Sequence, residues 1–217
     1  YPEMPPNEHV TMRIAEAFAL PTVKSSLIRL QSGELSYITR RIDRTENGEK
    51  NHMLDMFQIL EAFDKYKGST ERVGKAVARY AENTLLDVSN FFELTVFCFL
   101  TGNNDMHLKN FSMIAKDNGA WSLAPAYDLL NAAIANPDDK EELALTLGAR
   151  KSKLTRQNFF GFGLNLGLTT RQIEGVFSRL ARNETTAMEQ LSHSFLSDEY
   201  KEKYRIVLSE RYHRIRS

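Results

Sequence analysis

Apolar residues recur at helical spacing along most of the chain and alternate, strand-like, in a few short stretches. Val10, Ile14, Ala17 and Phe18 fall on one face of a helix that starts at Pro5-Pro6-Asn7. Asn7 is its expected cap, and the helix runs to about Leu20, where Pro21 stops it. Residues 23–30 and 35–41 read as two strands joined by a turn at Gln31-Ser32-Gly33. The polar stretch 44–50 contains Asn47-Gly48 and predicts a turn or loop. From about Asn51 the spacing is helical again, with Met53, Met56, Phe57, Leu60 and Phe63 on one face. A second helix, capped at Ser69 or Thr70, carries Val73, Ala76, Val77 and Tyr80. A third, over about 85–100, is apolar on most sides and is expected to be buried. Short strands are predicted at 111–115 and 121–123 with a turn at 116–119 between them. Loop and short helix follow over 125–136, and a further strand over 142–147. From Thr155 onward the pattern is helical, with caps at Thr155, Thr169 and Ser197. The chain shows no internal repeat and no low-complexity tract.

Composition narrows the class. The 217 residues are 42% hydrophobic and 26% charged with no formal net charge, an ordinary globular balance that advertises neither a nucleic acid nor a membrane as partner. The apolar run from Leu94 to Leu100 is too short to cross a bilayer, which takes roughly 20 residues. The single cysteine, Cys98, has no internal disulfide partner, which fits a reducing cytoplasm, and no signal-peptide pattern is present. The chain begins at Tyr1 and not at Met, so it is expected to be a fragment or a trimmed piece of a longer protein.

The chemistry concentrates in one segment. Asp105 and Asn110 lie in Thr101-Gly-Asn-Asn-Asp-Met-His-Leu-Lys-Asn110, between the apolar third helix and a strand. Their D-x4-N spacing is the offset that separates base and metal-binding amide in a protein-kinase catalytic loop. Past the predicted hairpin, Asp128 stands where a kinase has its second metal-binding carboxylate. Asp105 alone would read as a loop cap, Asn110 as a turn residue and Asp128 as a helix N-cap. Their order and offsets together point to phosphoryl transfer. Asp105 is the candidate base, and Asn110 and Asp128 are the candidate ligands for magnesium, a hard cation that takes oxygen donors. His107 and Lys109 complete the catalytic segment. A lone histidine beside an acidic loop more often holds the loop's shape, and Lys109 contacts a phosphate or simply faces solvent. No G-x-G-x-x-G and no Walker motif occur: Gly161-Phe-Gly163-Leu-Asn-Leu166 lacks the third glycine.

The run Asn104-Asp-Met-His-Leu-Lys-Asn-Phe-Ser112 followed by Leu123-Ala-Pro-Ala-Tyr-Asp-Leu-Leu130 resembles the C-terminal domain of HipA-like serine/threonine kinases, the toxins of bacterial toxin–antitoxin pairs. That family shows D-x-H-x-K-N-F-S and then P-x-Y-D. Asn7-Glu-His9 and Arg40-Arg-Ile-Asp-Arg44 add to the likeness, the latter departing from the family's E-R-F-D-R at Arg40 and Ile42. The resemblance implies an α+β, mostly α, protein-kinase-like fold: a helical C-lobe with a truncated N-lobe sheet. Residues 1–44 would be the N-lobe remnant and 45–217 the C-lobe. It implies ATP and Mg2+ as cofactors. Arg41, Ile42 and Asp43 would present a hinge to the adenine, and Glu8 would hold the place of the helix glutamate that pairs with a nucleotide-binding lysine.

The expected function is transfer of the ATP γ-phosphate to a protein hydroxyl. The implied partners are a protein substrate and a HipB-like antitoxin or a separately encoded N-terminal subunit, with DNA association indirect only and no membrane. The Gly-rich loop is missing, so this chain alone is expected to be weakly active or inactive. Two alternatives remain open. Aminoglycoside- and choline-type kinases use similar loops, which allows a small-molecule phosphotransferase. A non-catalytic module that binds an antitoxin or another partner is the second.

Overall fold

The computed structural model of the chain describes residues 2–115 and 119–216. The opening helix, α1 (Met4–Ala17), begins four residues earlier than a cap at Asn7 implies, with Glu3 in the cap position. Pro5 and Pro6 occupy its first turn, where a missing N–H costs nothing. Asn7 is therefore inside the helix and not its cap. It is almost fully buried and bonds elsewhere, as described below.

An antiparallel hairpin follows, β1 (Ser25–Arg29) with β2 (Leu35–Thr39), paired from Ser25↔Thr39 to Arg29↔Leu35. Its turn is the expected one, with Gly33 at φ +89°, a value a side chain would strain. α1 packs against this hairpin on one side and against α8 (Glu184–Ser192) on the other.

The helix expected from Asn51 does not form. Met53–Asp55 is a strand, β3, followed by the single turn α2 (Met56–Ile59). Pairing decides the outcome: Met53↔Ile114 and Asp55↔Ser112 join β3 to β4 (Ser112–Ala115), overriding a helical spacing that is only local. Asp55 then caps α2, accepting from the Gln58 N–H at 2.8 Å. Phe63, expected on the helix's apolar face, is fully exposed. β4 also pairs with β5 (Trp121–Leu123), giving a three-stranded antiparallel sheet ordered β3-β4-β5. The predicted turn at 116–119 falls mostly outside the described residues.

The helical part forms as the spacing predicts. α3 (Thr70–Tyr80) is capped by Ser69, whose hydroxyl accepts from the Arg72 N–H. α4 (Thr84–Leu100) runs through the centre, with Phe91, Phe92, Phe97 and Phe99 inaccessible to solvent. Its one acid among these, Glu93, is buried and is held in a two-bond pair by Arg179 of α7 (Thr170–Arg182), at 2.7 and 2.5 Å. α6 (Arg156–Asn165) and α9 (Asp198–Arg216) close the bundle, starting at the Thr155 and Ser197 positions expected. The short helix α5 (Ala132–Ala135) lies within 125–136, read as loop and short helix.

The strand expected over 142–147 is absent. Glu142 turns its carboxylate inward, where it accepts from the Leu154 N–H at 2.8 Å and pairs with Arg214 at 2.6 Å. Beyond it the backbone makes only isolated bridges, Ser69↔Thr146 and Leu147↔Arg150. Among the described residues, no helix is long and apolar enough to cross a membrane.

Candidate functional site

α4 delivers the chain to the site. It ends at Leu100 with Thr101 as its cap, and Gly102 turns at φ +70°. A Cβ there would lie 2.7 Å from Asn131 Oδ1 and 2.9 Å from Val207, so the close approach admits only glycine. The following loop is bonded at nearly every residue. The Asn103 N–H donates to Cys98 O at 2.8 Å, His107 N–H to Asp105 O at 2.8 Å, and Asn110 N–H to His107 O at 3.0 Å. Asn104 Nδ2 donates to Glu141 O at 3.0 Å.

Asn110 gathers the three expected residues. Its Nδ2 donates to Asp128 Oδ2 at 2.7 Å and to the main-chain oxygen of Asp105 at 3.2 Å. Asp105 and Asp128 are close enough that the charge of Asp105, after burial, raises the Asp128 pKa. Asp128 sits at φ +56°, a left-handed conformation that aspartate tolerates better than most residues.

Three sets of bonds hold the Asp128 segment. The Tyr127 hydroxyl donates to Lys109 O at 3.0 Å and bonds Ser112 Oγ at 2.6 Å, tying it to the loop. Ala126 N–H donates to Pro21 O, and Val23 N–H donates to Ala126 O. Asn7 and Asn131 then bond reciprocally: Asn7 Nδ2 to Asn131 O at 2.9 Å, and Asn131 N–H to Asn7 Oδ1 at 2.8 Å. The buried Asn7 thus joins α1 to the segment three residues past Asp128. The next residue, Glu8, feels Asp128 directly. Burial first, and the Asp128 charge second, push its carboxyl up to about 8, and it makes no ion pair among the described residues.

His107 is buried, its ring edge-on to Tyr66 at 5.1 Å between centroids. Burial and then Lys65 lower its pKa, so it stands neutral behind the loop. Lys109 is exposed, with its Nζ 4.9 Å from the centre of the Phe57 ring. Two cavities flank the loop. One of about 750 Å³ is lined by Arg41, Ile42, Asp43, Lys109 and Tyr127 among others. It also carries Arg40, Arg44 and Lys50, so basic side chains outnumber Asp43 and Asp55 on its walls. Arg41 and Asp43 pair with each other, at 2.9 Å from Nε to Oδ1, and the Arg41 bond lowers the Asp43 pKa. The second cavity, of about 440 Å³, is lined by Asp105, Tyr66, Asn136, Asp139 and Glu141 among others.

No motif or spacing marks Tyr66, whose hydroxyl donates to Asp105 Oδ1 at 2.8 Å from 39 residues away. Nor does either announce the Asn7–Asn131 pair or the basic wall of the larger cavity. Tyr66 lies in a polar turn without motif or period. Asn7 looked like a cap because the helix start was misplaced.

The donor set suits a hard cation only in part. Asn110 Oδ1 and the Asp128 carboxylate are oxygen donors, and a cation between them would offset the burial and the Asp105 charge that raise Asp128. Yet no group of three or more His, Cys, Asp or Glu that could hold a metal occurs among the described residues. Magnesium would need phosphate oxygens to complete its shell, which is how it usually binds at phosphoryl-transfer sites.

The profile of the HipA-like C-terminal domain matches residues 1–188. A putative kinase of Haemophilus influenzae is 26% identical over 90% of this chain and 66% of its own length. The putative kinase Y4dM of Sinorhizobium fredii is 34% identical over 60% of this chain and 35% of its own. The chain therefore spans between about a third and two thirds of the length of these relatives. HipA of Shewanella oneidensis, solved with HipB and operator DNA, superposes with a TM-score of 0.82 at 20% identity, over 99% of this chain and 56% of that one. The proinflammatory kinase CtkA of Helicobacter pylori superposes at 0.67 and 15% identity, over 99% and 86%. The fold is thus kinase-like with a helical lobe, and the chain belongs to the HipA-like C-terminal domain family.

Proposed function

We propose that this chain carries the catalytic loop and metal-binding segment of a serine/threonine protein kinase. It would transfer the ATP γ-phosphoryl group to a protein hydroxyl, with Asp105 as base. The observation that carries the reading is the Asn110 side chain. Its single amide nitrogen bonds both Asp128 and the Asp105 backbone, so base and ligands form one unit. The flanking cavities support it. The basic one, with Arg41, Ile42 and Asp43, would take ATP, and the one beside Asp105 would take the acceptor.

In this reading Asp105 accepts the acceptor hydroxyl's proton as that oxygen bonds to the γ-phosphorus and ADP leaves. Asn110 Oδ1 and Asp128 would hold magnesium, which when bound would supply neutralisation of phosphate charge. Lys109 reaches into the nucleotide side, and His107 keeps the loop in shape. Residues 1–44 act as N-lobe and 45–217 as C-lobe. The basic wall of the larger cavity supplies some of the positive charge a Gly-rich loop and lysine give elsewhere. The 217 residues contain no such loop, so transfer by this chain alone is slow. As the Shewanella HipA was solved with HipB and DNA, a HipB-like antitoxin is the partner to seek, with DNA reached through it.

The test is transfer from γ-labelled ATP to three acceptor sets: serine and threonine peptides, tyrosine peptides, and aminoglycoside or choline alcohols. Magnesium-dependent labelling of the first set alone agrees with the proposal. Labelling of the small alcohols alone would replace it with a small-molecule phosphotransferase. Magnesium-independent ATP binding without transfer would leave a binding module.

A further inference from the structure

We infer that Tyr66 is a positioning residue for the base, and that its ring shapes the acceptor side of the site. This rests on the phosphoryl-transfer reading. Tyr66 is 41% exposed, so burial of its ring does not explain its placement. What fixes it is a folded turn. Asp64 Oδ1 accepts from the Tyr66 N–H at 2.9 Å, and Lys65 O accepts from the Leu108 N–H at 3.1 Å, docking the turn on the catalytic loop. His107 supports the ring from behind, edge-on. The hydroxyl then donates to Asp105 Oδ1 at 2.8 Å.

A carboxylate turns freely about its last bond unless something holds it. With Oδ1 bonded to Tyr66, the carboxylate plane is set and Oδ2 is left to receive an acceptor hydroxyl. Orientation of this kind matters because a base displaced by a fraction of an ångström loses much of its effect. The phenol keeps its proton throughout. Burial, followed by the bond to Asp105, pushes it up to about 12, so it donates to Asp105 and does not compete for the acceptor's proton. On its other side the ring walls the 440 Å³ cavity with Met4 and Leu130, where an acceptor segment would lie.

Tyr66→Phe keeps the ring and removes the hydroxyl, while Tyr66→Ala removes both. In single-turnover transfer to a serine peptide, Tyr66→Phe is expected to lower kcat at least fivefold with ATP affinity and melting temperature unchanged. Tyr66→Ala is expected to raise the acceptor KM as well. In an Asp105→Asn background Tyr66→Phe should cause no further loss. Wild-type kcat in Tyr66→Phe overturns the positioning role, and phosphate found on Tyr66 itself would make it an acceptor instead. A second readout does not need turnover. The Asp105 side-chain 13C resonance should move in Tyr66→Phe and stay in place in Tyr80→Phe, a change on the far α3 surface. An unmoved resonance overturns the inference whatever the activity. A moved resonance in a protein that neither binds magnesium–ATP nor transfers phosphate keeps the contact and overturns the kinase reading.

Discussion

α4 and the loop that leaves it are consecutive in sequence and both buried, yet they are held by opposite means. Phe91, Phe92, Phe97 and Phe99 are inaccessible because apolar area was removed from water, a force without direction. Asn104 and Asn110 are nearly as buried, but each placement depends on a partner at a set distance. The helix accepts any residue of similar shape and apolarity. The loop accepts none, because a buried amide without its partner is costly. The loop also keeps Asp105 and Asp128 near each other against their repulsion. The helix therefore supplies stability, and the loop holds a charge arrangement that is unfavourable to folding.

Substitutions on the two sides should separate the two properties. Asp105→Ala is expected to reduce phosphoryl transfer by roughly 10²–10⁴-fold, with the melting temperature nearly unchanged. Joint loss of fold and activity would mean that Asp105 belongs with the core. Phe97→Ala should do the reverse, lowering stability by about 3–5 kcal/mol, read from the urea midpoint. Asn7→Ala tests a residue that belongs to both sides. Breaking its buried pair with Asn131 should cost about 1–3 kcal/mol and weaken metal–nucleotide binding through the Asp128 segment. A loss of stability alone would make Asn7 ordinary packing.

The smallest effect concerns Glu8 in EDTA. Its folded pKa is raised from 4.5 to about 8, so between those values the folded state holds a proton the unfolded chain releases. Stability from this group is complete below about pH 4.5 and falls as pH rises through 8. Glu8→Gln should remove that slope, a gain on the order of 1 kcal/mol at pH 8.5 after discounting for partial exposure. Parallel pH–stability curves for the two proteins would contradict the raised Glu8 pKa.

What the sequence made legible follows the same division. Helices whose packing face repeats and whose start carries a Ser or Thr cap, such as α3, α6, α7 and α9, were readable because both signals are local. The β1–β2 hairpin was readable from its alternation and Gly33. Met53–Asp55 was not, since a partner strand nearly sixty residues away decides its state. Residues 142–147 were misread because Glu142 serves a buried ion pair, a role that alternation does not encode. In the site, the Asp105, Asn110 and Asp128 positions were visible through spacing. Tyr66 and the Asn7–Asn131 pair were not, because contacts across 39 and 124 residues leave no local pattern.

The proposed mechanism requires Asn110 and Asp128 to form a metal–nucleotide site beside Asp105. Asp128→Asn tests it most directly. Asparagine tolerates the left-handed backbone at φ +56° and can still accept from Asn110. It also removes the repulsion with Asp105, so the variant should be as stable as the wild type or slightly more so. Manganese substitutes for magnesium and is visible by electron paramagnetic resonance. ATP-dependent Mn2+ binding should fall at least tenfold in Asp128→Asn while the fold is kept. Equal Mn2+ binding by the two folded proteins would contradict the proposed mechanism.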